Sequence, residues 1–238
     1  MKRLELFSLP LDPVTLEEAV ARVEDFLTRP GLDPVVTLNP ELVVRARRDE
    51  ELAQAVQNAS LVTADGVGIL WAAKRLLGVE LPERVPGVEL SEALLARGGP
   101  KLSVYFLGGK EGVAERAAEY ARTRYGVRVA GAHHGYFTDP TPVLAEIRRA
   151  RPDLVLVALG ERQEKFVERH REDLAARAAI SVGGTLDVFA GAARRAPAWT
   201  RRLGVEWLWR VGTDPRRWRR GPRLIEFVRL VEAERKRR

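Results

Sequence analysis

Six short apolar runs, rich in valine, leucine and isoleucine, recur between residues 35 and 182. They are Val35–Leu38, Leu61–Ala64, Leu102–Leu107, Val127–Ala130, Leu154–Leu159 and Ile180–Val182. Amphipathic stretches of helical period accompany them, among them Leu16–Leu27, Ala53–Ala59, Gly112–Tyr125 and Gln163–Ala176. A strand with one wetted face alternates polar and apolar residues. Strands that are apolar throughout and alternate with helices require a parallel sheet covered on both sides. The expected class is therefore α/β, a Rossmann-like, mostly parallel sheet with helices on both faces. Thr15-Leu16-Glu17-Glu18 opens the first helical stretch as a capping box.

The pattern stops after Gly191. Residues 194–238 hold fourteen arginines, one lysine, five acids and four of the chain's five tryptophans. The whole chain carries +7 and this segment alone +10, so residues 1–193 are slightly acidic. The expected organisation is an α/β body over 1–193 and a basic helical appendage over 194–238, with short helices broken by Gly204, Pro215 and Pro222. In the last of these, Leu224, Phe227, Val228 and Val231 fall at helical spacing, suited either to packing on the body or to lying on a membrane. A surface of arginine and tryptophan fits an anionic partner, either a membrane bearing phosphate groups or a nucleic acid. The longest clean apolar run, Leu154–Leu159, is far too short to span a bilayer, and the first residues lack the apolar core of a signal peptide. Any membrane contact is expected to be peripheral. With no cysteine, disulfides, thiolate zinc sites and a cysteine nucleophile are excluded.

In an open parallel sheet ligands bind beyond the carboxyl ends of the strands, so the polar residues there carry the chemistry. Those ends read Thr37-Leu38-Asn39-Pro40-Glu41, Thr63-Ala64-Asp65-Gly66-Val67-Gly68, Leu107-Gly108-Gly109-Lys110, Gly160-Glu161-Arg162-Gln163-Glu164 and Gly183-Gly184-Thr185. Asp65 leaves an apolar strand and is followed by Gly66 and Gly68, which permit close approach of another molecule. It suits a general base, or alternatively an N-cap for the next helix. The pair Gly108-Gly109 is either a phosphate cradle or a tight strand-to-helix turn. His133-His134 has no third ligand in register and reads as loop histidines. The chain has no Asp-x-Asp pair to hold a divalent ion against a nucleotide diphosphate, and no Gly-x-Ser-x-Gly elbow. A bound diphosphate would have to be neutralised by arginines and helix N-termini.

Taken in order, these motifs resemble the WecG/TagA/CpsF glycosyltransferases, glycosyltransferase family 26. The resemblance runs from about Val35 to Arg223. It includes Thr37-x-Asn39-Pro40-Glu41, Ala64-Asp65-Gly66-x-Gly68, Arg84-Val85-x-Gly87, Phe106-Leu107-Gly108-Gly109 and Gly131-x-His133-x-Gly135-Tyr136-Phe137. It continues through Gly160, Gln163-Glu164, Gly183-Gly184-x-x-Asp187, Arg195-Ala196-Pro197 and Gly204-x-Glu206-Trp207-Leu208-x-Arg210. It departs at Pro86 and Glu89, where the family pattern has Thr and Asp, and at Glu161-Arg162, where Pro is common.

The resemblance implies inverting, metal-independent transfer of an N-acetylmannosamine-type sugar from a UDP donor. The implied acceptor is N-acetylglucosamine on a diphospho-undecaprenol lipid, at the cytoplasmic membrane face, in cell-surface polysaccharide or teichoic acid synthesis. It implies Asp65 as the base, with Thr37, Asn39, Arg84 and Gln163 lining the same pocket. Gly66, Gly108, Gly109, Tyr136, Gly183 and Gly184 are expected at the substrate, with Arg84, Arg195, Arg210, Arg217 and Arg220 as the cations for the departing UDP. Neither metal nor cofactor is expected, and the appendage is expected to close the site and meet an anionic membrane. Self-association into a homo-oligomer is left open. The rival readings are a nucleic-acid-binding protein using the arginine-rich end, and a family member that has lost activity and serves as a scaffold.

Overall fold

The computed structural model describes residues 2–193 and 221–237. The chain starts with an antiparallel hairpin, β1 (Leu4–Leu6) and β2 (Leu9–Leu11), whose three-residue strands are too short to show a periodicity in the sequence. Asp12, just beyond it, is buried and covers one edge of the main sheet. Its N–H donates to the Val62 carbonyl and its Oδ2 accepts from Val62 N–H, each at 2.8 Å. Arg3 and Arg22 neutralise the carboxylate at 2.8 and 3.2 Å. An otherwise open strand edge is thereby occupied.

The remaining elements alternate. They are α1 (Leu16–Leu27), β3 (Asp33–Leu38), α2 (Pro40–Ala46), α3 (Glu50–Gln57), β4 (Leu61–Ala64), α4 (Val67–Leu77) and α5 (Gly87–Gly98). Then come β5 (Ser103–Gly108), α6 (Val113–Tyr125), β6 (Arg128–His133), α7 (Thr141–Ala150), β7 (Leu154–Ala158), α8 (Gln163–Arg169), β8 (Ala178–Ser181), α9 (Thr185–Phe189) and α10 (Gly221–Arg237). The capping box of α1 forms, with Glu18 N–H donating to Thr15 Oγ1 at 3.2 Å and Thr15 N–H to Glu18 Oε2 at 2.8 Å.

Strands β3 to β8 make one six-stranded sheet in the order β4-β3-β8-β7-β5-β6, every pair parallel. The α/β class expected from the apolar runs is the class observed. Alternation along the strands sorts the core. Val35, Phe106, Leu156 and Ile180 point to the face covered by α1, α5, α6 and α9. On the other face Val36, Leu38 and Val62 lie under α2, α3 and α4, and Tyr105, Leu107, Val155 and Val157 under α7 and α8.

Several boundaries differ from the sequence reading. β6 runs on to His133, because Ala132 and His133 still pair with Phe106 and Leu107, so His133 is a strand residue and only His134 belongs to the loop. β8 starts at Ala178, two residues early, since Ala178 and Ala179 pair with both β3 and β7; small alanines hide a strand start from a reading based on β-branching. α3 begins at Glu50, after Asp49 caps it by accepting from Leu52 N–H at 3.0 Å. α8 ends at Arg169, well short of Ala176.

α10 is described from Gly221, with Pro222 as its second residue, a position near a helix start where proline is tolerated. Gly204 and Pro215 lie outside the described residues. α10 packs across α2 and α4: Phe227 and Val231 are fully buried, and the Phe227 ring lies 6.3 Å from Phe7 and 6.5 Å from Trp71. Ion pairs Arg48–Glu226 (2.5 Å) and Arg75–Glu232 (3.0 Å) flank that contact. Phe227→Ala should therefore lower unfolding stability by about 3–5 kcal/mol, the range for a fully buried ring. A denaturant midpoint unchanged from wild type would show that α10 contributes nothing to the core.

Candidate active site

Because β3 lies between β4 and β8, three strand ends open side by side. A cleft of about 1040 Å³ lies there, walled by α4 and by the first turns of α10. Thr37, at the end of β3, is buried and donates its hydroxyl to the Ser181 carbonyl at 3.2 Å, tying β3 to β8 at the cleft floor. Asn39 caps α2, its carboxamide oxygen accepting from Leu42 N–H at 3.0 Å. That bond fixes the side chain and turns its NH₂ into the group a ligand can use.

Asp65 follows β4 directly. Its N–H donates to the Leu38 carbonyl at 2.7 Å, which prolongs the parallel ladder and holds the half-buried residue on the cleft wall. The N-cap position of α4 belongs to Gly66, at φ +95° and ψ 155°, so the alternative in which Asp65 is itself the N-cap residue does not hold. A Cβ at Gly66 would meet nothing within 4 Å, so the glycine is required by its φ alone.

Arg84 reaches the cleft from the segment before α5. Its Nη2 pairs with Glu89 Oε1 at 3.2 Å, and both side chains are mostly shielded. Gln163, the first residue of α8, is held at both ends of its amide. Its Nε2 donates to Glu164 Oε1 at 2.8 Å and its Oε1 accepts from Gly183 N–H at 3.1 Å. α8 is thereby joined to the Gly183-Gly184 turn that leads into α9. Thr37, Asn39, Asp65, Gly66, Arg84, Gln163, Gly183 and Gly184 all line this one cleft.

Gly108, Gly109 and Tyr136 are not among its lining residues. Gly108 has φ +132°, and a Cβ there would lie 2.2 Å from the Ala158 carbonyl oxygen, so close packing of β5 on β7 already requires glycine. Gly109 accepts from Gly135 N–H at 2.8 Å, and Tyr136 stands on the surface, its N–H donating to His134 Nδ1 at 3.1 Å. Arg195, Arg210, Arg217 and Arg220 lie outside the described residues. So do Trp207, Trp209 and Trp218.

The positions at which the sequence departs from the family pattern are engaged. Pro86 precedes α5 and lines the cleft, and Glu89 is the partner of Arg84. Glu161 binds Arg223 at 2.5 Å, and Arg223 also bonds Glu41. Arg162 lies over the Phe137 ring at 4.8 Å. The Arg223 bridge ties the start of α10 to α2 and to the turn before α8, and it was not legible in the sequence because its three partners are far apart in the chain. Leu224 and Val228, two members of the helical stripe read from the sequence, also line the cleft, and so do Trp71, Val188, Ile225 and Arg229, which had not been singled out.

The cleft thus sets the carboxylate residues Glu41 and Asp65 and the arginines Arg84 and Arg229 around a glycine-rich opening at the carboxyl edge of a parallel sheet, a layout suited to transfer of a group between two ligands. The profile described as the glycosyl transferase WecG/TagA/CpsF family matches residues 4–238, and the chain belongs to that family. Curated relatives bear the name N-acetylglucosaminyldiphosphoundecaprenol N-acetyl-beta-D-mannosaminyltransferase. The chain is similar to that of Bacillus subtilis strain 168, 32% identical over 89% of this chain and 86% of the relative. It is 34% identical to that of Bacillus spizizenii, over 83% of this chain and 77% of the relative, and 31% identical to that of Staphylococcus aureus strain MRSA252, over 98% and 94%.

Glu164 is the neighbour that locks Gln163. It is buried, its Oε2 makes no hydrogen bond among the described residues, and burial pushes its carboxyl above the ordinary value of 4.5. A carboxyl whose folded pKa is raised binds more protons folded than unfolded. Its contribution is full below pH 4.5 and is lost as pH rises through the folded value. Glu164→Gln should therefore flatten the fall in stability as pH rises above 4.5, measured by denaturant midpoints at several pH values. A variant with the wild-type slope would contradict the assignment.

Proposed function

We propose that this chain transfers an N-acetylmannosamine-type sugar from UDP to the N-acetylglucosamine of a lipid-diphosphate acceptor, with inversion and without a metal ion. The observation that carries the reading is the convergence of Thr37, Asn39, Asp65, Arg84 and Gln163 in one cleft, in a chain whose relatives are named for that transfer.

The chemistry follows from the groups present. The acceptor hydroxyl attacks the anomeric carbon of the donor as the bond to the β-phosphate oxygen breaks, through an oxocarbenium-like state. Asp65 takes the proton of that hydroxyl. Its half-buried side chain stands on the cleft wall, where a base is effective because it is already oriented. On the opposite side charge grows on the departing UDP. Arg84, held by Glu89, is a described cation that can meet it, and Asn39 and the Gly183-Gly184 turn offer neutral donors. The tail arginines Arg195, Arg210, Arg217 and Arg220 are assigned the same task on sequence grounds.

Membrane association belongs to the same reading. No helix among the described residues is long and apolar enough to cross a bilayer. The support for a peripheral contact is the arginine- and tryptophan-rich end, since each basic residue near an anionic surface adds about 1 kcal/mol of attraction.

Asp65→Asn should reduce kcat for transfer from a UDP sugar by at least about a hundredfold, the lower range for loss of a general base. Its thermal unfolding should match wild type. Unimpaired turnover in that variant removes Asp65 from the mechanism.

A further inference from the structure

The described part of the chain exposes six large hydrophobic residues, and four of them line this one cleft. Val67 and Trp71, each 37% exposed, stand one turn apart on α4, and Ile225 (57%) and Val228 (43%) one turn apart on α10. Leu224 continues the surface inward. Val67 follows Gly66 directly, so the apolar wall begins beside Asp65 and runs outward between the two helices. Arg229 sits next to Val228 on the same lining, and among the described residues it makes no ion pair. Phe227 and Val231 already secure α10 to the body, so the stripe carrying Ile225 and Val228 is not needed to hold the helix.

A nucleotide sugar has no use for such a wall, because its polar groups would lose water without gaining partners. A contiguous apolar surface left in water marks a binding site for an apolar ligand. A lipid-linked sugar presents three regions in a fixed order: sugar, diphosphate, hydrocarbon. The cleft offers the matching chemistry: polar groups at Asp65 and Asn39, the guanidinium of Arg229, and the apolar wall of α4 and α10. The wall lines the same cleft as Thr37, Asn39 and Asp65, which fits one chain threading out of the site better than a separate bilayer surface.

We infer that the groove between α4 and α10 receives the first isoprene units of the acceptor's polyprenyl chain, with Arg229 at the rim facing the diphosphate. The inference rests on the functional reading above and names the part of that site that selects a lipid acceptor. Val67, Trp71, Ile225 and Val228 are then specificity residues. They touch the chain, while the reacting atoms lie at Asp65.

The test compares KM for two detergent-solubilised acceptors that share the sugar and diphosphate, one carrying a polyprenyl chain and one a short alkyl group. Wild type should favour the prenyl acceptor by about tenfold or more, as expected when several methylene groups leave water. In Ile225→Ser/Val228→Ser that ratio should collapse toward one, and Ile225→Leu/Val228→Leu should restore it. An unchanged ratio in the serine variant, or an equal rise of both KM values, overturns the groove. So does loss of vesicle binding with the ratio intact in detergent, which would make the wall a bilayer contact. A second arm needs no turnover. A prenyl diphosphate with a photoreactive group in its first isoprene unit should label α4 and α10, read by peptide mass spectrometry. Labelling confined to other elements overturns the groove, whereas labelling there without sugar transfer by wild type would instead sink the functional reading.

Discussion

The molecule depends on the placement of β3 between β4 and β8 in parallel register. Each neighbour contributes its carboxyl end to the same edge, and the Asp65 N–H bond to the Leu38 carbonyl carries the ladder one residue beyond the strands. The helices leaving that edge part to opposite faces, α2 and α4 to one and α9 to the other, which opens the crevice between them. Thr37, Asn39 and Asp65 are thus positioned by backbone hydrogen bonds of the sheet and its caps. A site built this way is as rigid as the core beneath it.

The helix α10 makes the C-terminal part of the chain a component of both core and cleft. Phe227 packs between Phe7 and Trp71 while Arg223 clasps Glu41 and Glu161. One face of a single helix is spent on stability, and the adjacent face shapes the opening. Elements far apart in sequence, α2, the turn before α8 and α10, are coupled through one guanidinium. Its proton is held more firmly by the two carboxylates it faces.

Much of this was legible in the sequence, for physical reasons that can be named. Strands buried on both faces are apolar throughout, so β3, β4, β5 and β7 stood out, and the rule that ligands sit at carboxyl ends pointed to Thr37, Asn39 and Asp65. Gln163 and Arg84 came from the family resemblance, and the structure lines them in the same cleft. What failed to show were features without a local signal. The strands of the hairpin are too short, Ala178 and Ala179 lack β-branching, and the Arg223 bridge spans more than 180 residues. Gly108 shows the converse: a glycine pair open to reading as a phosphate cradle or a tight turn is accounted for by packing, since a Cβ at Gly108 would lie 2.2 Å from the Ala158 carbonyl oxygen.

In the function we propose, an aspartate aided by guanidinium groups suffices for glycosidic bond formation between a UDP sugar and a lipid-linked acceptor. The direct measurement is the rate of transfer by full-length protein stripped with a strong chelator and assayed with no divalent ion present. An undiminished rate is the predicted result. A chelated enzyme that stays inert until magnesium or manganese is returned would contradict it.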